Sequence, residues 1–279
     1  MSVPMPVEVF VSGLNSPEGP AFDRDGNLFF VNWLTSSIMR ATPEGDVTEY
    51  FNTGGIPAGL AFHPDGSLYV ADEGDQIHGV MRITPDGESA ILVNAFNGRP
   101  LNGANDLVFD SKGVLYFSDP WQTSLENPVG GFYRLFSDGT LEQLDTGLAF
   151  PNGVALAADG TSVFLAETQR NRILRYALGP DGRVGPRTHW AETNLPSGPD
   201  GMAFDSKGRL FVAHYGGGAV DIYDAGGEFS GKIGVPGPAV TNVAFGGDDG
   251  RTMVITEVET GSVYRTISEF PGQPLHDGR

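Results

Sequence analysis

The chain has 279 residues, 17 basic and 35 acidic side chains, a formal charge of −18 and no cysteine. This composition excludes disulfides and thiolate metal sites, and the negative field argues against nucleic acid and anionic membrane as partners. Glycine (40) and proline (20) are too frequent for a helical protein and suit short strands joined by turns.

The first ten residues, MSVPMPVEVF, lack a basic segment followed by an apolar core, so no secretory signal is expected. No apolar run approaches the ~20 residues of a membrane span. The expected compartment is the cytoplasm. In chain order, the first strand is VEVFVSG (7–13), which has no local partner. One phrase then recurs six times: a turn, an apolar strand, a tight turn often of Asp-Gly type, and a second apolar strand. The copies begin at Pro17, Pro57, Ala104, Pro151, Pro199 and Val240. Further strands follow most copies, as in SIMRATPEGDVTEY and GFYRLFSDGTLEQL. Each unit thus holds four strands in about 40 to 48 residues, the period of a propeller blade. The sixth unit stops after GSVYRTI, one strand short. The spacing predicts one all-β domain over 1–279, a six-bladed β-propeller of four-stranded blades. Its ring closes when the N-terminal strand completes the last blade.

The first strand of a blade is innermost, so one aligned position in every unit surrounds a common axis. Four residues before the anchors Phe22, Phe62, Phe109, Leu156, Phe204 and Phe245, that position reads Glu18, Ala58, Asn105, Asn152, Asp200, Thr241. Two carboxylates and two carboxamides converging there would form a hard-oxygen cage for one divalent cation. Calcium is the first choice on ligand type, with magnesium, manganese, iron(II) and zinc as alternatives. The competing explanation is that Asn, Asp and Glu merely favour turns before strands. A second ring ends the following strands: Asn32, Asp72, Asp119, Glu167, His214 and Glu257. Strand ends are polar for ordinary reasons as well. Asp119 is the candidate for a supporting or second-cation role, and His214 a lesser candidate for proton transfer. Trp33, Trp121 and Tyr215 stand beside this ring as candidate pocket walls, with packing between blades as the alternative. Segments 74–81, 121–130 and 167–172 are expected to rim the pocket. No G-x-S-x-G elbow occurs, which disfavours a serine nucleophile.

Four blocks, SPEGPAF (16–22), LNGANDLVFDSKGVLYFSDP (101–120), FPNGVALAADG (150–160) and PDGMAFDSKGRL (199–210), resemble the SMP-30/gluconolactonase/LRE family in order and spacing, closest to its bacterial lactonase branch. The resemblance implies a metal held by Glu18, Asn152 and Asp200, with Asn105 touching substrate or completing the coordination. It implies hydrolysis of a lactone, and Asp200, a ligand with a second oxygen free, is the candidate base. Asn102, Trp33, Trp121, His214 and Tyr215 complete the expected substrate-binding set. Mammalian members carry an arginine two residues before the Asn matched by Asn105, and Gly103 stands there instead. The fold and metal geometry also resemble the diisopropyl-fluorophosphatase propellers. Phosphotriester hydrolysis, a metal-assisted isomerisation or cyclisation, and a non-catalytic ligand-binding propeller therefore stay open. The expected partner is a small-molecule substrate, and the oligomeric state is open.

Overall fold

The computed structural model describes residues 5–194 and 196–275, so Met1–Pro4 of the segment read for a leader lie outside the described residues. Blade 1 is built from β2 (Pro17–Phe22), β3 (Leu28–Asn32), β4 (Ser37–Ala41) and β5 (Val47–Asn52). Blade 2 is β6 (Pro57–Phe62), β7 (Leu68–Asp72), β8 (Gly79–Ile83) and β9 (Ser89–Val93). A small hairpin follows, β10 (Ala95–Phe96) and β11 (Arg99–Pro100), which the repeat does not announce. Its turn is Asn97-Gly98, both residues at positive φ, as the favoured two-residue hairpin turn requires. Blade 3 is β12 (Leu107–Phe109), β13 (Leu115–Asp119), β14 (Gly130–Leu135) and β15 (Leu141–Leu148). Blade 4 is β16 (Pro151–Leu156), β17 (Ser162–Glu167), β18 (Arg172–Ala177) and β19 (Thr188–Glu192). Blade 5 is β20 (Pro199–Phe204), β21 (Leu210–His214), β22 (Ala219–Tyr223) and β23 (Phe229–Gly234). Blade 6 contains β24 (Val240–Gly246), β25 (Thr252–Glu257) and β26 (Ser262–Ile267), and its outermost strand is β1 (Glu8–Val11), antiparallel to β26. The ring closes as its sequence predicts. Among the described residues no helix is long and apolar enough to cross a membrane.

The innermost strands touch in sequence around the axis, β2 to β6, β12, β16, β20, β24 and back to β2. Each of the six seams between blades is filled by its own apolar cluster; Phe29, Leu60 and Leu68 fill the first, and Phe132, Leu148 and Leu165 the third. Middle strands such as β3 and β21 are buried along their whole length, which explains why they read as continuous apolar runs instead of alternating.

Five innermost strands carry a register shift at the same place: Pro17 to Ala21 is interrupted after Glu18, and β6, β16, β20 and β24 are interrupted at the matching point. In blade 3 the same stretch, Ala104–Asp106, lies outside β12 altogether. A bulge of this kind breaks the alternation of side chains and re-aims two successive residues. The second of the two is glycine in four blades because the neighbouring blade comes too close for anything larger. A Cβ on Gly19 would lie 1.9 Å from the carbonyl oxygen of Ala58, and one on Gly153 2.1 Å from that of Asp200.

The closing seam gathers Val11, Leu28, Phe30, Ala41, Val254 and Val263 into one cluster. Val11→Asp would put a carboxylate among them without a partner. It should cost roughly 3 kcal/mol or more in urea unfolding; a loss below about 1 kcal/mol would show that the seam contributes little to stability.

Candidate active site

The bulges bring the aligned side chains to the axis. Asp200 and Asn152 are buried, while Glu18 and Asn105 are partly open to the channel. Asp200 accepts hydrogen bonds from the Asn152 side chain and the Gly201 backbone N–H. Glu18 accepts one from Asn242 Nδ2 at 3.2 Å and one from the backbone N–H of Gly19. Burial, followed by the charges of Asp106 and Glu73, holds the Asp200 carboxyl well above the usual carboxylate range. Burial, then Asp200 and Asp106, does the same to Glu18. Among the described residues no Lys, Arg or His forms an ion pair with any of these carboxyls.

Three members of this group were not singled out from the sequence: Glu73, Asp106 and Asn242. The last two occupy the column that is glycine in the other four blades, and their blades face each other across the ring, so a readable signal existed. Asp106 accepts the N–H of Leu107 at 2.9 Å and that of Val154 at 2.7 Å, tying blade 3 to blade 4. Burial pushes its carboxyl up to about 6. Glu73 follows a second-ring residue and had no pattern to mark it. Its buried carboxylate accepts from Asn105 Nδ2 at 2.8 Å and from Trp33 Nε1 at 3.4 Å, and burial pushes it up to about 7.

The second ring has mainly a structural task. Asn32 Oδ1 accepts the N–H of Asn15, Asp72 those of Ile56 and Gly74, Glu167 that of Ala149, and Glu257 that of Ala239. Each of these bonds except that of Gly74, which follows β7, anchors the chain just before an innermost strand. Asp119 does the same for Gly103 at 2.7 Å and Asn102 at 3.0 Å, and Asn102 returns its own amide to Asp119. Both Asp119 oxygens are thereby engaged. His214 breaks the pattern: Nδ1 meets Asp221 Oδ2 at 3.1 Å, and buried Nε2 has no partner among the described residues.

Trp33 and Trp121 meet edge to face, 6.2 Å between ring centroids. Tyr215 stands apart, exposed and two blades from either tryptophan along the ring. At Gly103, φ is +138° and a Cβ would lie 2.8 Å from Trp121 Cβ and 2.9 Å from Glu73 backbone atoms. An arginine therefore has no room there; Glu73 and Trp121 occupy its surroundings. A cavity of about 240 Å³ opens beside Trp121, lined by Gly55, Gly74, Gln76 and Gln122, so residues 74–76 and 121–122 of the two expected rim segments border it. Segment 167–172 is held by the ion pairs of Arg170 and Arg172 to Glu167. A larger cavity of about 510 Å³ lies past Asp106 and Asn242 at the opposite end of the innermost strands, walled by Phe22, Phe62, Phe109 and Phe204. Its lining is mostly apolar; Asp106 and Asn242 border it, whereas Glu18, Asn152 and Asp200 do not.

Residues 16–259 match the family described as the SMP-30/Gluconolactonase/LRE-like region. The chain belongs to that family. It is 32% identical over 289 aligned residues to a gluconolactonase of Zymomonas mobilis, covering 92% of this chain and 80% of that one. It is also 32% identical, over 246 residues, to the pentonolactonase XacC of Haloferax volcanii, covering 86% of this chain and 80% of the relative. Among solved structures it is similar to a calcium-binding protein, regucalcin, from Agrobacterium tumefaciens, with a TM-score of 0.85, 23% identity and 98% of each chain covered. This last similarity speaks for the SMP-30-type propeller fold.

The raised carboxyls have a consequence for stability. A carboxyl whose pKa is higher in the folded than in the unfolded chain favours folding below the unfolded value, and that contribution is lost as pH rises through the folded value. Cation-free protein should therefore lose stability between about pH 4.5 and pH 7, with Glu73 alone contributing ~3 kcal/mol to the fall. Urea unfolding in chelator at pH 5 and pH 7.5 measures it. Glu73→Gln should remove its share, and an unchanged difference between the two pH values would show that Glu73 titrates as an ordinary carboxyl.

Proposed function

We propose that this chain is a lactonase that opens a cyclic ester with the help of one divalent cation held by Glu18, Asn152 and Asp200. The observation that carries the proposal is the convergence of buried carboxyls on the axis without a cationic side chain among the described residues to balance them. The fit to a cation rests on the chemistry of the donors. Among the described residues no three His, Cys, Asp or Glu side chains stand together as a metal cage, so carboxylates would be joined by amide oxygens. Such an all-oxygen set suits a hard cation, calcium first. The relatives named gluconolactonase and pentonolactonase support the choice of a lactone as substrate.

A divalent cation bound there would supply polarisation of the ester carbonyl and stabilisation of negative charge on its oxygen. The chain's own residues do the rest. Asn105 orients the ring ester, and Trp33 and Trp121 wall the mouth on the side of that amide. Asp200, steadied by Asn152, takes a proton from the attacking water as its oxygen bonds to the carbonyl carbon. The ring C–O bond then breaks and the alkoxide receives that proton, giving a hydroxy acid. Asn242 holds Glu18 in place throughout.

Lactone hydrolysis, followed by pH-stat on sugar, aliphatic and aromatic lactones, should vanish in metal-stripped protein and return with one of calcium, magnesium, manganese, iron(II) or zinc. Asp200→Asn should lower kcat by at least about 100-fold. Tight cation binding without hydrolysis of any lactone would move a phosphotriester or a ligand-binding function ahead.

A further inference from the structure

We propose that Glu73 is a positioning residue that decides which atom of Asn105 faces the channel, an inference that rests on the reading of Asn105 as a substrate-side group. The backbone of Asn105 is fixed on both sides, its carbonyl accepting the N–H of Gly59 at 2.7 Å and its N–H donating to the carbonyl of Ser118 at 3.1 Å. The freedom left to this residue at the axis is the turn of its terminal amide. An amide turned one way offers an acceptor to the channel, and turned the other way a donor, so this choice sets what Asn105 can do.

Glu73 makes the choice. Its Oε1 receives Asn105 Nδ2 at 2.8 Å and its Oε2 faces Trp33 Nε1 at 3.4 Å. A carboxylate only accepts and an indole N–H only donates, so the amide nitrogen of Asn105 is drawn to Glu73 and Oδ1 is turned away from it. Glu73 is 3% exposed, and among the described residues it has no ion-pair partner that would compete for its oxygens. Gly103 packs closely against the backbone of Glu73 and against Trp121, which fixes where the Glu73 main chain stands.

The same geometry predicts an inversion. In Glu73→Gln the Trp33 N–H pairs with the new amide oxygen, so the Gln amide nitrogen faces residue 105. Asn105 must then turn Oδ1 toward it and present Nδ2 to the channel. Adding Asn105→Asp restores an oxygen on both sides while keeping the total charge of the pair.

The test compares wild type, E73Q, N105D and E73Q/N105D for kcat/KM on D-glucono-1,5-lactone. It is paired with the side-chain amide spectrum of 15N-labelled protein, in which Asn105 is assigned by its disappearance in N105D. E73Q should lose about 10- to 100-fold and the double variant should recover most of that loss, with N105D alone impaired. Wild type should show one Asn105 amide proton shifted downfield and slow to exchange, displaced in E73Q. Activity of E73Q equal to wild type, or a double variant no better than E73Q, overturns the assignment. Once N105D has assigned the signal, the spectrum of wild type decides independently of activity and of how E73Q or the double variant folds. An Asn105 amide without the shifted proton overturns the role of Glu73 even if lactone hydrolysis is found. If the shifted proton is present and no lactone is opened, the role of Glu73 stands and the lactonase reading falls.

Discussion

The bulge shared by five of the six innermost strands is the constraint on which the other features rest. A regular strand would send its side chains alternately into the two seams that flank its blade, as Met202 and Phe204 enter one and Ala203 the other. The interruption after Glu18, and at the matching place in four more blades, re-aims two successive residues. In four blades the second of the two is glycine, and at Gly19 and Gly153 a neighbouring carbonyl fills the space of a Cβ. Tight closure of the ring and the gathering of polar groups therefore have one cause. A larger residue beside Glu18 would push blades apart and move the carboxylates with them.

The fold was open to reading because it is written six times. Repetition turns weak local signals into an alignment, and the alignment ranks positions by their place around an axis. Glu18, Asn105, Asn152 and Asp200 emerged that way, and the unpaired first strand revealed the closure. Asp106 and Asn242 stood one column further on, visible as departures from glycine, yet the alignment was read at a single column. Glu73 was harder. Its importance comes from a contact between blades 2 and 3, and no periodicity within a repeat encodes which side chain lies across a seam. The second ring left two readings open. Six polar strand ends suggested chemistry, but most of them hold backbone N–H groups that would otherwise be buried without partners. A polar residue at a strand end carries no mark that tells these tasks apart.

The channel also shows how stability is given up where chemistry is concentrated. The charges of Asp106 and Glu73 act on Asp200, those of Asp200 and Asp106 act on Glu18, and burial is the largest influence on all four carboxyls. Remote carboxylates behave oppositely. For Asp65 burial is opposed by hydrogen bonds from the Ser67 N–H and from His63, and the carboxyl is lowered to about 2. Exposed acids thus accept local donors and stay charged, whereas the axial acids lack cationic partners among the described residues. Strain of this kind is tolerated because the seams around it are rigid and apolar.

The pairing of β1 with β26 has a consequence for how the molecule is made. Val11 meets Val263, so about 250 residues must be synthesised before the first strand finds its partner. At ribosomal speed that is a wait of roughly 10 to 50 s. Throughout it, the edge of β1 and the open face of blade 1 are available to other chains, and loop closure over nearly the whole sequence comes last. Early blades can assemble as each four-strand unit emerges, but the circle is completed in one late, non-local step. Chaperone dependence and aggregation during expression should therefore concentrate on the nascent, unclosed ring.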